Sequence, residues 1–334
     1  MTANAAGALA PKTAEQVLTM IGTSKVDAFS GKLTTTSNLG LPSLPSGVGG
    51  SSSSSTSGVS SILSLLASPQ SARVYVDGST KERVQILTSL AEQDVIRNGN
   101  DVWQYDSKKN TATHATLASH SESKAPSSTA TPAQIAHELI SHLDSTTRTS
   151  VGTNAQVAGR STYTLVLTPK ATDTLIGSVA ISVDSATGLP LAVEATPRGQ
   201  HDPAIGVSFS SIDLSTPAAS LFNFTPPKNA KVTEQSVPKH VAAPKPTAPA
   251  TSAAKPTVVG SGWDAVVETA ANASTSKLSS QKIFTELTTA VAGGRVLHTS
   301  LANVLITTDG RVLAGSVPLD RLLAVAAQPV AAQK

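Results

Sequence analysis

The sequence contains no cysteine among its 334 residues. A disulfide framework, a thiolate nucleophile, a cysteine-ligated metal and a lipid-bearing cysteine are therefore excluded. The lack of cysteine does not determine the cellular compartment, since many exported proteins also lack disulfides. Aromatic residues make up only 3% and charged residues 14% of the chain, so the hydrophobic fraction of 39% comes chiefly from alanine, valine and leucine. We expect an aliphatic core with few large rings.

The net charge is also small, at +3. Nucleic-acid binding usually requires a dense basic face, so we expect no nucleic-acid partner. One local imbalance stands out, because residues 228–255 hold five lysines and a single acid, Glu234. This stretch is interpreted either as a solubilised linker or as a surface attracted to anionic membranes.

Long apolar runs are also absent, because no run of apolar residues in the sequence reaches the roughly 18 that a membrane span needs. The opening residues, MTANAAGALAPKTAEQ, lack the basic end and the apolar stretch of a signal peptide. Two alternatives follow from these residues. Either the protein is cytosolic, or a targeting segment is absent from this chain.

Catalytic and metal-binding motifs are not found. Two zinc ligands on one helix need a spacing of four residues, whereas His137 and His142 are five apart and point about 140° from each other. Neither a nucleophile elbow, a phosphate-binding loop nor a dinucleotide fingerprint appears. Glu92 and Asp94 alternate on a predicted strand, where they either pair or, as we expect, lie solvated. We predict no enzyme activity, no metal and no cofactor.

Three changes in composition divide the chain. Residues 46–61 are rich in serine and glycine and predict a flexible loop, while residues 121–132 form a shorter break. Residues 236–258 predict a semi-extended linker of proline, alanine and lysine. The expected organisation is therefore a body at 9–235 and a C-terminal segment at 259–328.

Two segments carry the capping signals of helices. In TAEQVLTMIGTSK the leading threonine is a predicted N-cap, followed by apolar residues at helical spacing. In TPAQIAHELISHLD, Thr131 is the N-cap and Pro132 fills the first helical position. Ile135 and Leu139 then begin an apolar stripe along one side.

Most other segments alternate as strands do. ARVYV-DGST-KERVQIL predicts a hairpin in which Val74 and Val76 face the same side as Val84 and Ile86. DVIR-NG-NDVWQYD predicts a second hairpin, whose Asn-Gly turn supplies positive φ. LANVLITT-DGR-VLAGSV predicts a hairpin near the C-terminus, followed by a short helix. The fold class is α+β: one large antiparallel sheet with two helices on one face, plus a small C-terminal hairpin-helix segment.

Four phrases, taken in order, resemble the LolA-like lipoprotein-carrier superfamily: NGNDVWQYD, YTLVLTPK, VDSATGLPLAV and FNFTPPKNAKV. That superfamily includes periplasmic lipoprotein carriers, lipid-binding lipoproteins of actinobacteria and RseB-type regulators of envelope-stress sigma factors. The alanine- and threonine-rich composition suggests an actinobacterial source. Residues 259–328 lie outside the shared region.

The resemblance implies a strongly curved sheet, an open half-barrel with helices against its hollow side and an apolar cavity between them. It also implies an extracytoplasmic protein, secreted or membrane-anchored, that binds lipid or lipoprotein acyl chains without catalysis. The candidate cavity residues are Val74, Val76, Val84, Ile86, Trp103, Tyr105, Ile135 and Leu139. Trp103 is interpreted either as a structural wall or as a direct contact of the acyl chain.

Two further expectations concern the edges of this cavity. Ile62, Leu63, Leu65 and Leu66 follow the Ser/Gly loop, where they either form a mobile lid, touch a membrane surface, or pack on the sheet rim. An alternative function is an RseB-like envelope-stress sensor, in which residues 259–328 contact a protein partner.

Overall fold

The computed structural model describes residues 9–40, 71–88, 91–117, 130–235, 256–271 and 282–328. Four α-helices lie in these ranges: α1 (Ala14–Gly22), α2 (Pro132–Ser141), α3 (Lys282–Leu287) and α4 (Leu319–Ala326). The Ser/Gly loop, the lid candidates Ile62, Leu63, Leu65 and Leu66, and most of the predicted linker lie outside the described residues.

Thirteen strands of the described part form the first sheet. They are β1 (Ala28–Ser37), β2 (Ser71–Asp77), β3 (Lys81–Thr88), β4 (Ala91–Asn98), β5 (Asp101–Asp106), β6 (Thr111–Thr116), β7 (Thr147–Val151), β8 (Ala155–Val157), β9 (Arg160–Pro169), β10 (Ile176–Asp184), β11 (Pro190–Pro197), β12 (Ile205–Asp213) and β13 (Lys231–Gln235).

The first sheet is an open ribbon of mostly consecutive hairpins. Its order is β13-β6-β5-β4-β3-β2-β1-β12-β11-β10-β9-β7, and β8 pairs beside β9. Every pairing is antiparallel except that of β13 with β6, which is parallel. The path ends at β13 and β7, so the sheet is not closed within the described residues. The mixed α+β class with few helices is confirmed.

One side of this sheet contacts α1 and α2, and we call it the helix-side face. Val17 and Ile21 of α1 and Ala136 of α2 pack with buried residues of β9, β10 and β11. The buried sheet residues of this cluster are Tyr163, Leu165, Leu167, Val179, Ile181, Val183 and Val193. Because these strands alternate, their other side carries smaller or more polar residues, such as Thr164, Ser182 and Glu194.

Both helices begin with the predicted caps. Thr13 and Thr131 each accept a hydrogen bond from the backbone N–H of the third helical residue, Gln16 and Gln134, at 3.3 Å. Each glutamine side chain in turn accepts from the N–H of its threonine, which completes a capping box. The predicted N-caps and the first position of Pro132 are confirmed.

The C-terminal residues form a second sheet rather than a hairpin alone. Its strands are β14 (Thr257–Val259), β15 (Val266–Thr269), β16 (Thr289–Val291), β17 (Gly294–His298), β18 (Asn303–Thr307) and β19 (Val312–Gly315), in the order β14-β15-β19-β18-β17-β16. The predicted hairpin is β18–β19, with φ of +86° at Gly310. Leu322 and Val325 of α4 complete its core.

The two sheets are joined by specific contacts. Trp263 Nε1 donates to Thr147 Oγ1 at 2.8 Å, and its ring packs beside the core under α1 and α2. The Ser316 carbonyl accepts from Leu175 N and Thr174 Oγ1, each at 2.8 Å. Leu301 packs with Leu39 and Ala204 in a small apolar cluster. These contacts lie at the loops that end the strands of the second sheet.

Candidate functional site

The candidate cavity residues divide between the two faces of the first sheet. Val74 and Val84 are direct cross-strand partners on the helix-side face, and both are buried. Val76 and Ile86 flank them, and Ala133 of α2 packs on the same cluster. The predicted facing of the first hairpin is confirmed.

The helix residues Ile135 and Leu139 lie on this same side. Both are half-buried and pack against the cluster beneath α1 and α2. Six of the eight candidates therefore lie on the helix side of the first sheet.

Trp103 and Tyr105 lie on the opposite side. The register pairs Val84 with Val95 and Val95 with Gln104, so Gln104 lies on the helix-side face. Trp103 and Tyr105, the residues before and after Gln104, therefore project from the other face. There they contact residues 219–235, a segment that we call the strap. This side of β3–β6 is the strap-side face.

The helix-side face changes from buried to accessible across β2–β5. Val74 and Val84 are 0% and 2% exposed, whereas Val95 and Val102 on the next strands are half-buried and Gln104 is exposed. Side-chain burial on this face therefore decreases from β2 and β3 toward β4 and β5.

A polar pair borders this apolar surface at the start of α2. Glu82 accepts hydrogen bonds from Gln134 Nε2 at 3.3 and 3.4 Å and lies opposite Arg97 in the register. Burial raises the pKa of Glu82, an effect that the Gln134 hydrogen bond and the charge of Arg97 oppose. A carboxyl group and a guanidinium therefore stand beside Val76 and Val102.

The strap-side face contains a buried ion pair. Arg83 Nη2 lies 2.7 Å from Asp94 Oδ2, and the Asp94 side chain is 2% exposed. Arg83 Nη1 also donates to the carbonyl of Leu221 in the strap at 3.3 Å. Phe222 beside it is 1% exposed. The expectation of a solvated Asp94 is wrong, because a distant segment of the chain covers this carboxylate.

The pKa values of Asp94 and Glu92 are shifted in opposite directions. Burial raises the pKa of Asp94 to about 6, and the neighbouring Glu92 carboxyl adds to this while Arg83 opposes it. The hydrogen bond from Gln85 Nε2, at 2.6 Å, lowers the pKa of Glu92. A proton taken up by the pair therefore resides on Asp94.

An aromatic cluster holds the strap further along this face. The Trp103 and His114 rings are stacked, with centroids 4.3 Å apart and an interplanar angle of 20°. Phe224 of the strap lies 5.4 Å from the Trp103 centroid and 5.6 Å from that of Tyr105. His114 contacts two carboxylates, with Nδ1 at 2.8 Å from Glu234 and Nε2 at 3.1 Å from Asp101.

The turn at Asp184 is built around a buried carboxylate. Arg160 donates to both Asp184 oxygens at 2.9 and 2.8 Å, and Thr187 donates to Oδ2 through its N–H and hydroxyl. Burial would raise the pKa of Asp184, but these hydrogen bonds and the Arg160 charge hold it below its usual range. Gly188, at φ +77°, packs against the Met20 carbonyl at the end of α1.

Some of these features had no clear signal in the sequence. The Arg83–Asp94 pair and the His114 cluster both depend on the strap, which is about 120 residues away from His114 along the chain. The repeated phenylalanines in FNFTPP were a usable signal, because isolated rings in an aromatic-poor chain need a partner.

Metal clusters and membrane-spanning helices are both absent from the described residues. No group of three or more histidine or acidic side chains there lies close enough to hold a metal ion. No helix in the same ranges has the length and hydropathy to span a membrane.

Residues 83–225 match a family model described as outer membrane lipoprotein carrier protein LolA. Among curated proteins, no sequence relative is detected. Similar solved structures include the Pseudomonas aeruginosa MucA/MucB complex, at 17% identity and a TM-score of 0.48, covering 96% of this chain and 99% of that one. A LolA superfamily protein from Nitrosomonas europaea is 14% identical, with a TM-score of 0.27, covering 64% and 99%. A conserved protein from Thermus thermophilus is 11% identical, with a TM-score of 0.38, covering 66% and 99%.

The matched residues include three of the four family-like phrases, and the fourth begins within them. Each phrase has a defined place: the β4–β5 hairpin, β9, the turn before β11, and the strap. Through this part of the first sheet, the chain is similar to the LolA lipoprotein carriers.

Proposed function

We propose that the protein binds lipid, or the acyl chains of a lipoprotein, on the helix-side face as a non-catalytic extracytoplasmic carrier. In this proposal the first sheet curves into an open half-barrel, and α1 and α2 cover part of its hollow side. The observation that supports the proposal is that the apolar face runs from buried Val74 and Val84 to their half-buried neighbour Val95 in the register.

The energetics of such binding require apolar area and an opening, not a reacting group. Sequestering hydrocarbon is worth about 0.8 kcal/mol per buried CH₂. One long acyl chain therefore gains on the order of 10 kcal/mol before the costs of ordering it. The border formed by Glu82 and Arg97 offers a polar contact for the head of such a ligand.

A pair of matched substitutions tests this proposal. Val95→Glu places a charge on the helix-side face, whereas Leu87→Glu places the same charge on the strap-side face at a residue that is 39% exposed. We expect Val95→Glu to weaken uptake of a fluorescent fatty acid at least tenfold, because a carboxylate is costly to bury beside hydrocarbon. Leu87→Glu should bind as the wild type does. Equal affinities of all three proteins would overturn the proposal.

A second candidate is an RseB-like regulator that acts through a protein partner. It is favoured by the second sheet, whose contacts through Trp263 and Ser316 fix it to the first. Val258→Lys, at a residue that is 59% exposed on β14, separates the two candidates. A carrier retains its acyl uptake after this substitution, whereas a regulator that uses this surface loses a co-purifying partner protein.

A further inference from the structure

Strand β13 is an edge strand with little burial of its own. All five of its residues are exposed, and it pairs with β6 in parallel from Lys231–Thr111 to Gln235–Ala115. Parallel pairing is slightly less stable per residue than antiparallel pairing. We therefore expect the side-chain contacts of β13 to contribute much of the stability of its pairing with β6.

His114 makes the contact that ties β13 to the interior strands. Its two ring nitrogens face carboxylates on opposite neighbours, Glu234 on β13 and Asp101 on β5. Ionised carboxylates only accept hydrogen bonds, and a neutral imidazole has a single N–H to donate. The observed geometry is satisfied at both nitrogens only by an imidazolium.

The other groups around His114 favour the same charged form. The Trp103 ring stacks on the imidazole, an arrangement that attracts a cation. Tyr105 shares this face but directs its hydroxyl to Asn110, at 3.5 Å. Partial burial alone would lower the pKa of His114, but the hydrogen bonds and charges of Glu234 and Asp101 outweigh it and raise the pKa.

We infer that His114 is a pH-sensitive latch for the strap. As an imidazolium it joins β5 to β13, and on losing its proton it can hold only one of the two carboxylates, so that β13 loosens. Because β13 is the C-terminal end of the strap, its release frees this end of the strap from β6.

The sign of the pH dependence follows from linkage. The latched form holds its proton more tightly than a released His114 does, so the latch is fully effective below the ordinary histidine pKa of about 6.5. Its contribution is lost as the pH rises through the higher pKa of the latched form. Each unit between the two pKa values changes the opening equilibrium about tenfold. Glu234 and Asp101 are 71% and 57% exposed, so added salt should weaken the effect.

Hydrogen exchange on the full-length chain tests the latch. Protection of the amides of β13 is measured from pH 5.5 to 8.5 and corrected for intrinsic exchange, with β7 at the opposite edge of the same sheet as the internal control. We expect β13 to lose protection at least severalfold relative to β7 as the pH rises.

Two variants make the result specific to His114. Glu234→Gln keeps the side-chain shape at an exposed position, and His114→Gln removes the titrating ring. Both should abolish the extra pH dependence of β13, and Glu234→Gln should also lower the His114 pKa read from its NMR titration. If His114→Gln does not fold, the pH dependence of β13 protection in Glu234→Gln alone tests the inference. Protection of β13 that tracks β7 at every pH, or a pH response that survives Glu234→Gln, would overturn the inference.

Discussion

At the scale of single residues, the Trp103 side chain is surrounded by residues from three separate segments of the chain. The ring stacks on His114 of β6 and lies beside Phe224 of the strap, while its own strand pairs it with Ile96, which is 1% exposed. These contacts favour the structural interpretation of Trp103 over contact with an acyl chain, because the ring lies on the strap-side face.

Trp103→Ala should therefore lower the free energy of unfolding by about 2 to 3 kcal/mol. This value lies at or below the low end of the range for fully buried aromatic residues because the ring is half-buried. Chemical denaturation measures the change, and Trp103→Phe serves as the conservative control. An unchanged melting temperature combined with weakened uptake of an acyl probe would contradict this assignment.

Asp94 makes the stability depend on pH in a defined direction. Its pKa of about 6 in the folded protein exceeds the value of about 3.9 expected when unfolded. The protonated form is therefore stabilising below pH 4, and this contribution is lost as the pH rises through 6. Two pKa units correspond to about 2 to 3 kcal/mol.

Asp94→Asn removes the titration while keeping an oxygen that can accept from Arg83. We expect the difference in unfolding free energy between the wild type and this variant to shift in favour of the variant between pH 4 and pH 7. Parallel urea titrations at several pH values measure it. A difference that stays constant across this window would show that Asp94 is already ionised at pH 4.

At the scale of elements, the turn from Asp184 to Leu189 fixes the start of β11 against α1. A Cβ on Gly188 would collide with the Met20 carbonyl in addition to straining the backbone at φ +77°. Gly78 is a matched control, since it has φ +70° but no atom within 4 Å of the place that an alanine methyl group would occupy.

Gly78→Ala should cost about 1 to 2 kcal/mol of stability from backbone strain alone. Gly188→Ala should cost clearly more, about 3 kcal/mol or above, because α1 must also move away from the turn. Thermal unfolding of the two variants measures the difference. Equal losses would mean that the turn and α1 are not in contact.

The elements also show what the sequence could and could not predict. The capping threonines, the Asn98–Gly99 turn and the Val74–Val84 facing follow from local chemistry, so they were predictable. The side on which Trp103 would be covered was not, because strand alternation separates the two faces without saying which one a distant segment covers. Strands β16 and β17 were missed although Gly293, at φ +84°, marks the turn between them.

At the scale of the whole molecule, Trp263 links the second sheet to the core of the first. Trp263→Phe keeps a ring in place but removes the hydrogen bond to Thr147. Trp263→Ala also removes the packing beside α1 and α2. We expect the alanine variant to increase proteolysis between the two sheets, and the phenylalanine variant to do so only slightly. Equal resistance of both variants and the wild type would mean that this contact does not hold the sheets together.

The central claim is that the helix-side face accommodates hydrocarbon. Native mass spectrometry of the full-length protein, purified without detergent and then mixed with a long-chain fatty acid, tests it most directly. We predict a stoichiometric adduct in the wild type and in Leu87→Glu, and its loss in Val95→Glu. A bare protein at every fatty-acid concentration, or an adduct that Val95→Glu leaves intact, would contradict the claim.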